Sequence, residues 1–379
     1  MAQAQSDQTT FAAGELLESH PIAAPLIAGG VRCHGGFDAD GSYVSPRTKK
    51  RAPAIVAWQA SHVRTFGTSI LEVPLDSWPS HYPNVPQSKF LLRHGVVRPM
   101  ITTLTRVGTV EGFGGNIGRM AIPDLQRFFA ADIAGTAMAH LTLGLYEAHG
   151  RDEAGHEGEG GHRQMWFAAR DIAFENPSVE NEIQRMLQMM GIPAGAYGGN
   201  PGERAAAFQR AQTDMPRQLP SDVEPMLEFQ IARMVRLLFI ELAAYRTFAW
   251  AEEVLSDPDL VAGDGEAARL VAYIRADERP HVEYLRTVLS EMRDRTLLGA
   301  SGKRYPGKEM IGTIWDRALA QSLGQNRREN RLMQLRALEA ELEGHPRRAA
   351  ILEEYHALGD VRPGSDGEWV STRETQVLQ

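Results

Sequence analysis

Cysteine is nearly absent from this chain of 379 residues, in which Cys33 is the single example. One cysteine can neither build an internal disulfide framework nor supply the ligands of an iron–sulfur cluster, and we expect a protein of the reducing cytoplasm. Long apolar runs are also missing. The nearest approach, at 234–250, is interrupted by charged residues, so we expect no transmembrane segment. The N-terminus is polar and lacks an apolar signal core, which again favours the cytoplasm.

Basic residues are fewer than acidic ones, with 40 Lys and Arg against 48 Asp and Glu, and the formal net charge is -8. A short basic run at 47–51 is predicted to be a solvated loop. Because no basic stripe is present, we do not expect nucleic-acid binding. A glycine-rich dinucleotide-binding loop is missing as well. Hydrophobic residues make up 43% of the chain, which is enough to build a sizeable core.

The apolar residues after position 97 recur with helical spacing, which predicts an all-α fold. Residues 1–97 are instead rich in Gly and Pro and are predicted to form an irregular N-terminal extension, with a hairpin-like turn at 38–41. We predict a helical bundle over 98–298, followed by charged helices and a tail over 299–379. The predicted helices cover 98–112, 123–157, 162–174, 179–190, 221–256, 264–298 and 308–358, and a connector rich in Gly and Pro covers 191–220. The charged stretch 327–354 is predicted to be a solvated face, with a homodimer contact as the alternative.

The pentapeptide Asp-Glu-x-x-His occurs twice, at 152–156 and at 277–281. Residues i and i+3 of a helix share one face, so each Glu-x-x-His presents a carboxylate and an imidazole to the same point. A bare Glu-x-x-His is common by chance, and we interpret the one at 353–356 as accidental. With a preceding Asp the chance expectation falls to roughly 0.05 copies per chain. The doubled motif therefore predicts a two-metal site whose ligands include Glu153, His156, Glu278 and His281.

Two further carboxylates are predicted to complete the site. Glu241 lies on the apolar stripe of the helix predicted at 221–256, and it comes level with Glu278 if the two helices form an antiparallel hairpin. Glu111 is the choice for the fourth carboxylate, because it follows the apolar stripe of the first predicted helix. The alternatives that stay open are Glu147, Asp132 and Glu159, the last of which, together with His162, is an alternative to the pair of the first motif.

Two helices that each give one carboxylate, and two that each give Glu-x-x-His, form a pattern that resembles the ferritin-like di-iron carboxylate superfamily. This superfamily includes ribonucleotide reductase small subunits and di-iron oxygenases. The resemblance covers about 98–298, and it implies a ferritin-like four-helix bundle that holds two iron ions, or a manganese–iron pair. It also implies that Asp152 and Asp277 each accept a hydrogen bond from a ligating imidazole.

The resemblance further implies an O2-activating oxidoreductase of the monooxygenase, hydroxylase or N-oxygenase type, and mixed carboxylate and imidazole ligands suit iron or manganese. Its expected partners are O2, a small organic substrate and an external electron donor, either a reductase or a ferredoxin. Two alternatives belong to other classes. One is an iron-oxidising or iron-storing protein, or a metal-bearing binding protein of the same fold, and the other is a metal-free helical interaction module. The long N-terminal extension and the extra helices are better explained by a substrate pocket or a protein partner than by storage.

Overall fold

The structure of this protein is a computed structural model that describes residues 8–73, 78–117, 122–174, 216–359, 361–363 and 369–371. The chain is mostly helical and its sheets are small, so the predicted all-α bundle is confirmed. The predicted helix at 179–190 and most of the predicted connector lie outside the described residues. None of the helices that the structure describes combines the length and the apolar character needed to span a bilayer.

The N-terminal extension is ordered by a small antiparallel sheet with the strand order β1-β2-β3. Its elements are α1 (Ala13–Leu16), β1 (Ala24–Ala28), β2 (Val31–Phe37), β3 (Tyr43–Val44), α2 (Arg51–Phe66) and α3 (Val85–Arg93). The predicted turn joins β2 to β3, where the backbone N–H of Asp38 donates to the carbonyl of Ser42 at 3.0 Å. The extension is therefore built into the fold rather than appended to it.

The bundle contains the helices α4 (Arg98–Gly114), α5 (Tyr146–Ala154), α6 (His162–Ala173), α7 (Pro225–Leu255), α8 (Glu266–Asp277) and α9 (Arg279–Arg293). Helix α4 packs against α5 and α6, α8 packs against α6, and α7 packs against both α8 and α9. Helix α7 contributes apolar side chains to two separate core clusters, one from residues 227–242 and the other from residues 248–255. A helix that is apolar on most of its circumference is expected in the middle of a fold. Four helical columns result, formed by α4, α5 with α6, α7, and α8 with α9.

The continuous helix predicted at 123–157 is wrong. The segment contains 3-10 turns at Leu125–Phe128 and Met138–His140, a kinked stretch at Leu141–Leu145 with non-helical angles at Leu143 and Gly144, and only then α5. Gly135 and Gly144 have φ angles of 67° and 111°, which a right-handed helix does not contain. Apolar spacing alone did not reveal these two breaks.

The helix predicted at 264–298 is divided at Glu278 into α8 and α9. Pro280 occupies the first turn of α9, where its missing N–H costs no hydrogen bond. Glu278 itself keeps helical angles, with φ -71° and ψ -22°. Because the backbone stays helical through this junction, Glu278 and His281 keep the i, i+3 relation that the motif predicts.

The C-terminal part consists of short strands and further helices. These are β4 (Thr296–Leu298), β5 (Arg304–Pro306), α10 (Gly307–Ala320), a π-helical turn (Gln321–Gln325), α11 (Asn326–Glu341), α12 (Arg348–Leu358), β6 (Val361–Pro363) and β7 (Trp369–Ser371). Strands β4 and β5 pair antiparallel, as do β6 and β7. Helix α11 is largely exposed, and Leu338 is its one buried residue, as expected for a charged, solvated face.

Candidate metal centre

Histidine and glutamate side chains form two buried groups between the four helical columns. The first quartet is His149, Glu153, Glu241 and His281, and the second quartet is Glu111, Glu153, His162 and Glu278. Within each quartet the ligand atoms lie within 4.8 Å of one another, and every member is buried. Glu153 belongs to both. These groups could hold metal ions, and their composition is compatible with a di-iron carboxylate site.

The first quartet is centred on two stacked imidazoles. The rings of His149 and His281 lie 3.7 Å apart and are nearly parallel. Nε2 of His149 is 3.2 Å from Oε1 of Glu241 and 3.4 Å from Oε1 of Glu153. Nδ1 of His281 is 3.3 Å from the same Glu153 oxygen. The other ring nitrogen of His149 lies 2.8 Å from the hydroxyl of Tyr284, so that contact turns Nε2 toward the carboxylates.

The second quartet is arranged around one imidazole, that of His162. Its Nδ1 is 3.0 Å from Oε1 of Glu278, 3.5 Å from Oε1 of Glu153 and 3.6 Å from Oε2 of Glu111. Oε2 of Glu278 lies 2.7 Å from Nδ1 of His281. Glu278 therefore also contacts a member of the first quartet, and Glu153 belongs to both quartets.

Several ligand atoms of this cluster lack hydrogen bonds. Nε2 of His149, Nδ1 of His162 and Oε1 of Glu278 are buried, and they have no hydrogen-bond partner among the residues that the structure describes. A buried polar atom without a partner costs about 1–3 kcal/mol, and folded proteins contain few of them. The atom of His149 belongs to the first quartet and those of His162 and Glu278 to the second, so each quartet contains at least one unpartnered ligand atom that a bound cation would satisfy. The residues present therefore fit a metal pair.

The carboxyl groups of the cluster also have displaced pKa values. Burial and the nearby Glu111 and Glu278 raise the pKa of Glu153 well above its ordinary value. Burial and Glu241 do the same for Glu278. Although burial disfavours the charged imidazole of His162, the adjacent Glu278 and Glu153 hold its pKa well above the usual value. Protons must therefore balance the negative charge when no cation is bound, and metal binding would release them.

A buried aspartate outside the first quartet fixes the orientation of His281. Oδ2 of Asp152 lies 3.0 Å from Nε2 of His281. The same carboxylate accepts hydrogen bonds from Nε of Arg47 and from Nη2 of Arg51, each at 2.7 Å. Burial would raise the pKa of Asp152, but the two guanidinium groups hold it well below the usual range. Burial and the neighbouring His149 lower the pKa of His281, so this ring is neutral. Asp152 thus holds the Nε2 side of the ring, and Nδ1 faces Glu278 and Glu153 at 2.7 and 3.3 Å.

The aspartate of the second motif lies beside the other imidazole. Oδ2 of Asp277 is 3.5 Å from Nε2 of His162, a distance at which the two atoms form no hydrogen bond here. The hydroxyl of Tyr43 donates to the same oxygen at 2.8 Å. Tyr43 in turn stacks on Tyr273 with ring centroids 4.3 Å apart. Asp277 is thus held by the N-terminal extension and placed next to a candidate ligand.

Five of the six predicted ligands are brought together by the structure: Glu111, Glu153, Glu241, Glu278 and His281. His156 does not lie with these five residues, so its prediction as a metal ligand is corrected. Helix α5 ends at Ala154, and Gly155 has φ 83° and ψ 169°, so the i, i+3 relation of a helix does not extend from Glu153 to His156. The side chain of His156 is 36% exposed and lies near Glu157, outside the cluster.

The other candidates for the fourth carboxylate lie elsewhere. Glu147 and Asp132 are exposed, and Glu159 forms an ion pair with Arg32 at 3.0 Å on the surface. The pair of Glu159 with His162 is therefore not formed. His162 nevertheless enters the cluster alone, as the first residue of α6, and it takes the place that the motif assigned to His156.

Some residues of the candidate site were not predicted from the sequence. His149 precedes Glu153 by four residues on α5, and this helical spacing was a usable signal. Arg47 and Arg51 are 6% and 1% exposed, so the prediction of a solvated loop at 47–51 is wrong for these two side chains. Tyr43 and the two arginines belong to an extension to which the sequence assigned no chemistry, and no local pattern connects them with the bundle.

Comparison of the chain with protein-family models, with curated proteins and with solved structures finds no match. The chemistry of the cluster is therefore argued from the side chains themselves.

Proposed function

We propose that this protein is an O2-activating non-haem di-iron oxidoreductase of the monooxygenase, hydroxylase or N-oxygenase type. The observation that carries the proposal is the pair of buried quartets that share Glu153 and contain unpartnered imidazole and carboxylate atoms. Bundles that present inward-facing Glu and His from facing helices are typical of the ferritin-like di-iron proteins. We infer the same architecture for the helices that supply these ligands here.

The charge of the cluster supports two divalent ions. It contains four glutamates, Glu111, Glu153, Glu241 and Glu278, and three imidazoles. Four carboxylates balance two divalent cations, whereas four buried negative charges without cations would be prohibitively costly. Carboxylate and imidazole ligands favour iron or manganese over copper or structural zinc. We propose two iron ions, with a manganese–iron pair as the alternative.

Each side chain then has a definite role. His149, His281 and Glu241 would hold one ion, and His162 and Glu111 the other, with Glu153 and Glu278 in contact with both. Asp152, fixed by its two arginines, would accept the Nε2–H of a His281 that binds the ion through Nδ1. Bound iron would supply the redox chemistry toward dioxygen. The buried side chains around it exclude water and keep a reactive centre away from solvent.

The substrate of the proposed reaction is a small organic molecule. The electrons come from a separate reductase or a ferredoxin, because one cysteine cannot support an iron–sulfur cluster and the sequence contains no dinucleotide-binding loop. Addition of a chemical reductant should therefore replace the partner in vitro.

Metal analysis of histidine variants tests the metal assignment. Wild-type protein loaded anaerobically with ferrous iron is expected to hold about two irons per chain. His162→Ala should lose much of this metal, whereas His156→Ala, a matched change outside the cluster, should keep it. Mass spectrometry gives the metal content, and Mössbauer spectra of an iron-57 sample show whether the two irons are coupled after exposure to oxygen. Full metal content in His162→Ala, or its loss in His156→Ala, would contradict the assignment.

A second experiment separates catalysis from iron storage. Reduced, iron-loaded protein should consume O2 in repeated turnovers when a chemical reductant and a panel of small aromatic and aliphatic substrates are supplied, with an oxygen-18 label from O2 entering the product. A storage protein would instead take up many irons per chain and assemble into a large cage on a sizing column. Cage assembly without labelled product would overturn the oxidoreductase proposal.

A further inference from the structure

A second feature of the protein lies on the other side of α7. There a cavity of about 540 Å³ is bounded by α7, by the segment 78–87, by α4, and by the chain from the end of α10 into α11. Helix α7 lines it with residues spaced three and four apart, among them Arg236, Phe239, Ala243 and Arg246. Helical geometry places Glu241 about 150° away around the axis from this row. The cavity and the metal cluster therefore occupy opposite faces of one helix.

The charge of the cavity differs from that of the rest of the chain. Acidic residues outnumber basic ones in the sequence, 48 to 40, yet no Asp or Glu is found among the described residues that line the cavity. The lining contains five arginines: Arg106, Arg236, Arg246, Arg327 and Arg331. Two of them are four residues apart on α11, a spacing at which like charges repel. Burial and the nearby Arg331 lower the pKa of Arg327.

Polar groups other than the arginines also face the cavity. His81 lines it, with Nδ1 3.1 Å from the hydroxyl of Thr247, while its buried Nε2 has no hydrogen-bond partner within the described part of the chain. Burial and the charge of Arg106 lower the pKa of His81 to about 3, so this ring stays neutral. Arg106 donates from Nη1 to the side-chain oxygen of Asn330 at 3.4 Å, a contact that orients its guanidinium group.

The remaining lining is partly apolar. Trp78 and Phe239 line the cavity with their ring centroids 5.4 Å apart, and Ile240 beside them is 52% exposed. The guanidinium group of Arg331 lies over the ring of Tyr82, 4.8 Å from its centroid. A cavity of a few hundred Å³ with an apolar wall and a small number of oriented polar groups is typical of a small-molecule site.

We propose that this cavity binds a small organic dianion, whose carboxylate or phosphate oxygens pair with the arginines while its apolar part lies against Trp78 and Phe239. Guanidinium groups bind both kinds of oxyanion through paired N–H donors. The site is distinct from the metal cluster, and its existence does not depend on the proposed oxidation chemistry.

Calorimetric titration of the full chain in about 0.15 M salt tests the proposal, because this ionic strength screens weak surface attraction. The probes are phenyl phosphate, phthalate and inorganic phosphate. We expect saturable binding of phenyl phosphate or phthalate with a dissociation constant below about 1 mM. The double variant Arg327→Gln with Arg331→Gln should weaken it at least about tenfold. The matched control is Arg328→Gln with Arg336→Gln, which removes the same charge from exposed positions of α11 outside the cavity.

A third variant, Arg236→Gln, removes a lining charge from the exposed face of α7. It leaves α11 unchanged, so weaker binding in this variant cannot result from misfolding of α11. Weaker binding in both lining variants, together with unchanged binding in the control, supports the site. Whether phenyl phosphate or phthalate binds then shows whether the site takes a phosphate or a carboxylate ligand. Absence of saturable binding, or an equal loss in the lining and control variants, overturns it. Inorganic phosphate that binds as tightly as phenyl phosphate would refute an organic ligand.

Discussion

Replacement of Asp152 by Asn probes the connection between the N-terminal extension and the candidate metal centre. The carboxylate is fully buried, and it contacts two guanidinium groups, Arg47 and Arg51, and one imidazole, His281. Asn keeps the shape but removes the negative charge, and it can turn only one oxygen toward these donors. Two buried arginines would then share no countercharge at this position.

The expected loss of stability follows from these contacts. Removal of one partner from a buried ion pair costs about 3–5 kcal/mol, because it leaves an uncompensated charge. This is large against a total stability of about 5–15 kcal/mol, but it leaves a folded protein. Since the folded-state pKa of Asp152 is held well below its ordinary value, its stabilising effect is present above about pH 4 and is lost as the pH falls through the lowered pKa. The imidazole of His281 also loses its anchor, which should weaken metal binding about 10- to 100-fold.

Urea unfolding of the metal-free protein at pH 7 measures the stability term, and iron titration measures the affinity term. Glu147→Gln is the control, because Glu147 lies on the same helix and forms an ion pair with Arg151 but is 47% exposed. That change should alter stability by less than about 0.5 kcal/mol. An Asp152→Asn protein within about 1 kcal/mol of wild type and with unchanged iron affinity would refute the reasoning.

Three further substitutions have predictable results. A Cβ on Gly114 would lie 2.2 Å from Cγ of Glu153, so Gly114→Ala should displace this shared ligand and reduce bound iron. Gly312→Ala, in α10 with open space around it, should instead stabilise by about 0.5–1 kcal/mol in thermal unfolding. If Gly114→Ala kept as much iron as Gly312→Ala and the wild type, the packing argument would be contradicted. Burial raises the pKa of Glu291 from 4.5 to about 7. Between these pH values the folded state holds a proton that the unfolded state releases. The stabilising contribution of the protonated carboxyl group is therefore full below pH 4.5 and is lost as the pH rises to about 7. Relative to wild type, Glu291→Gln should therefore gain up to about 3 kcal/mol between pH 4.5 and 7.5, and a pH-independent difference in the free energy of unfolding would exclude this.

Sequence patterns were informative wherever a helix is regular. Apolar spacing placed Glu241 on a buried face of α7, and the second motif placed Glu278 and His281 together, because the backbone stays helical through the junction of α8 and α9. The first motif was misleading for a local reason. Gly155 leaves the helix one residue before His156, and a positive φ at glycine is not visible in a spacing rule.

The outer contacts could not be read from spacing at all, since Arg47 and Asp152 are 105 residues apart and meet only through the packing of the extension. The aspartates show a related effect. Asp152 of the first motif anchors His281 of the second, and Asp277 of the second lies beside His162, the histidine that follows the first. The aspartate of each motif thus lies beside an imidazole on another helix, and not beside the histidine of its own motif. Loss of Asp152 should therefore disturb His281 on α9, and loss of Asp277 should disturb His162 on α6.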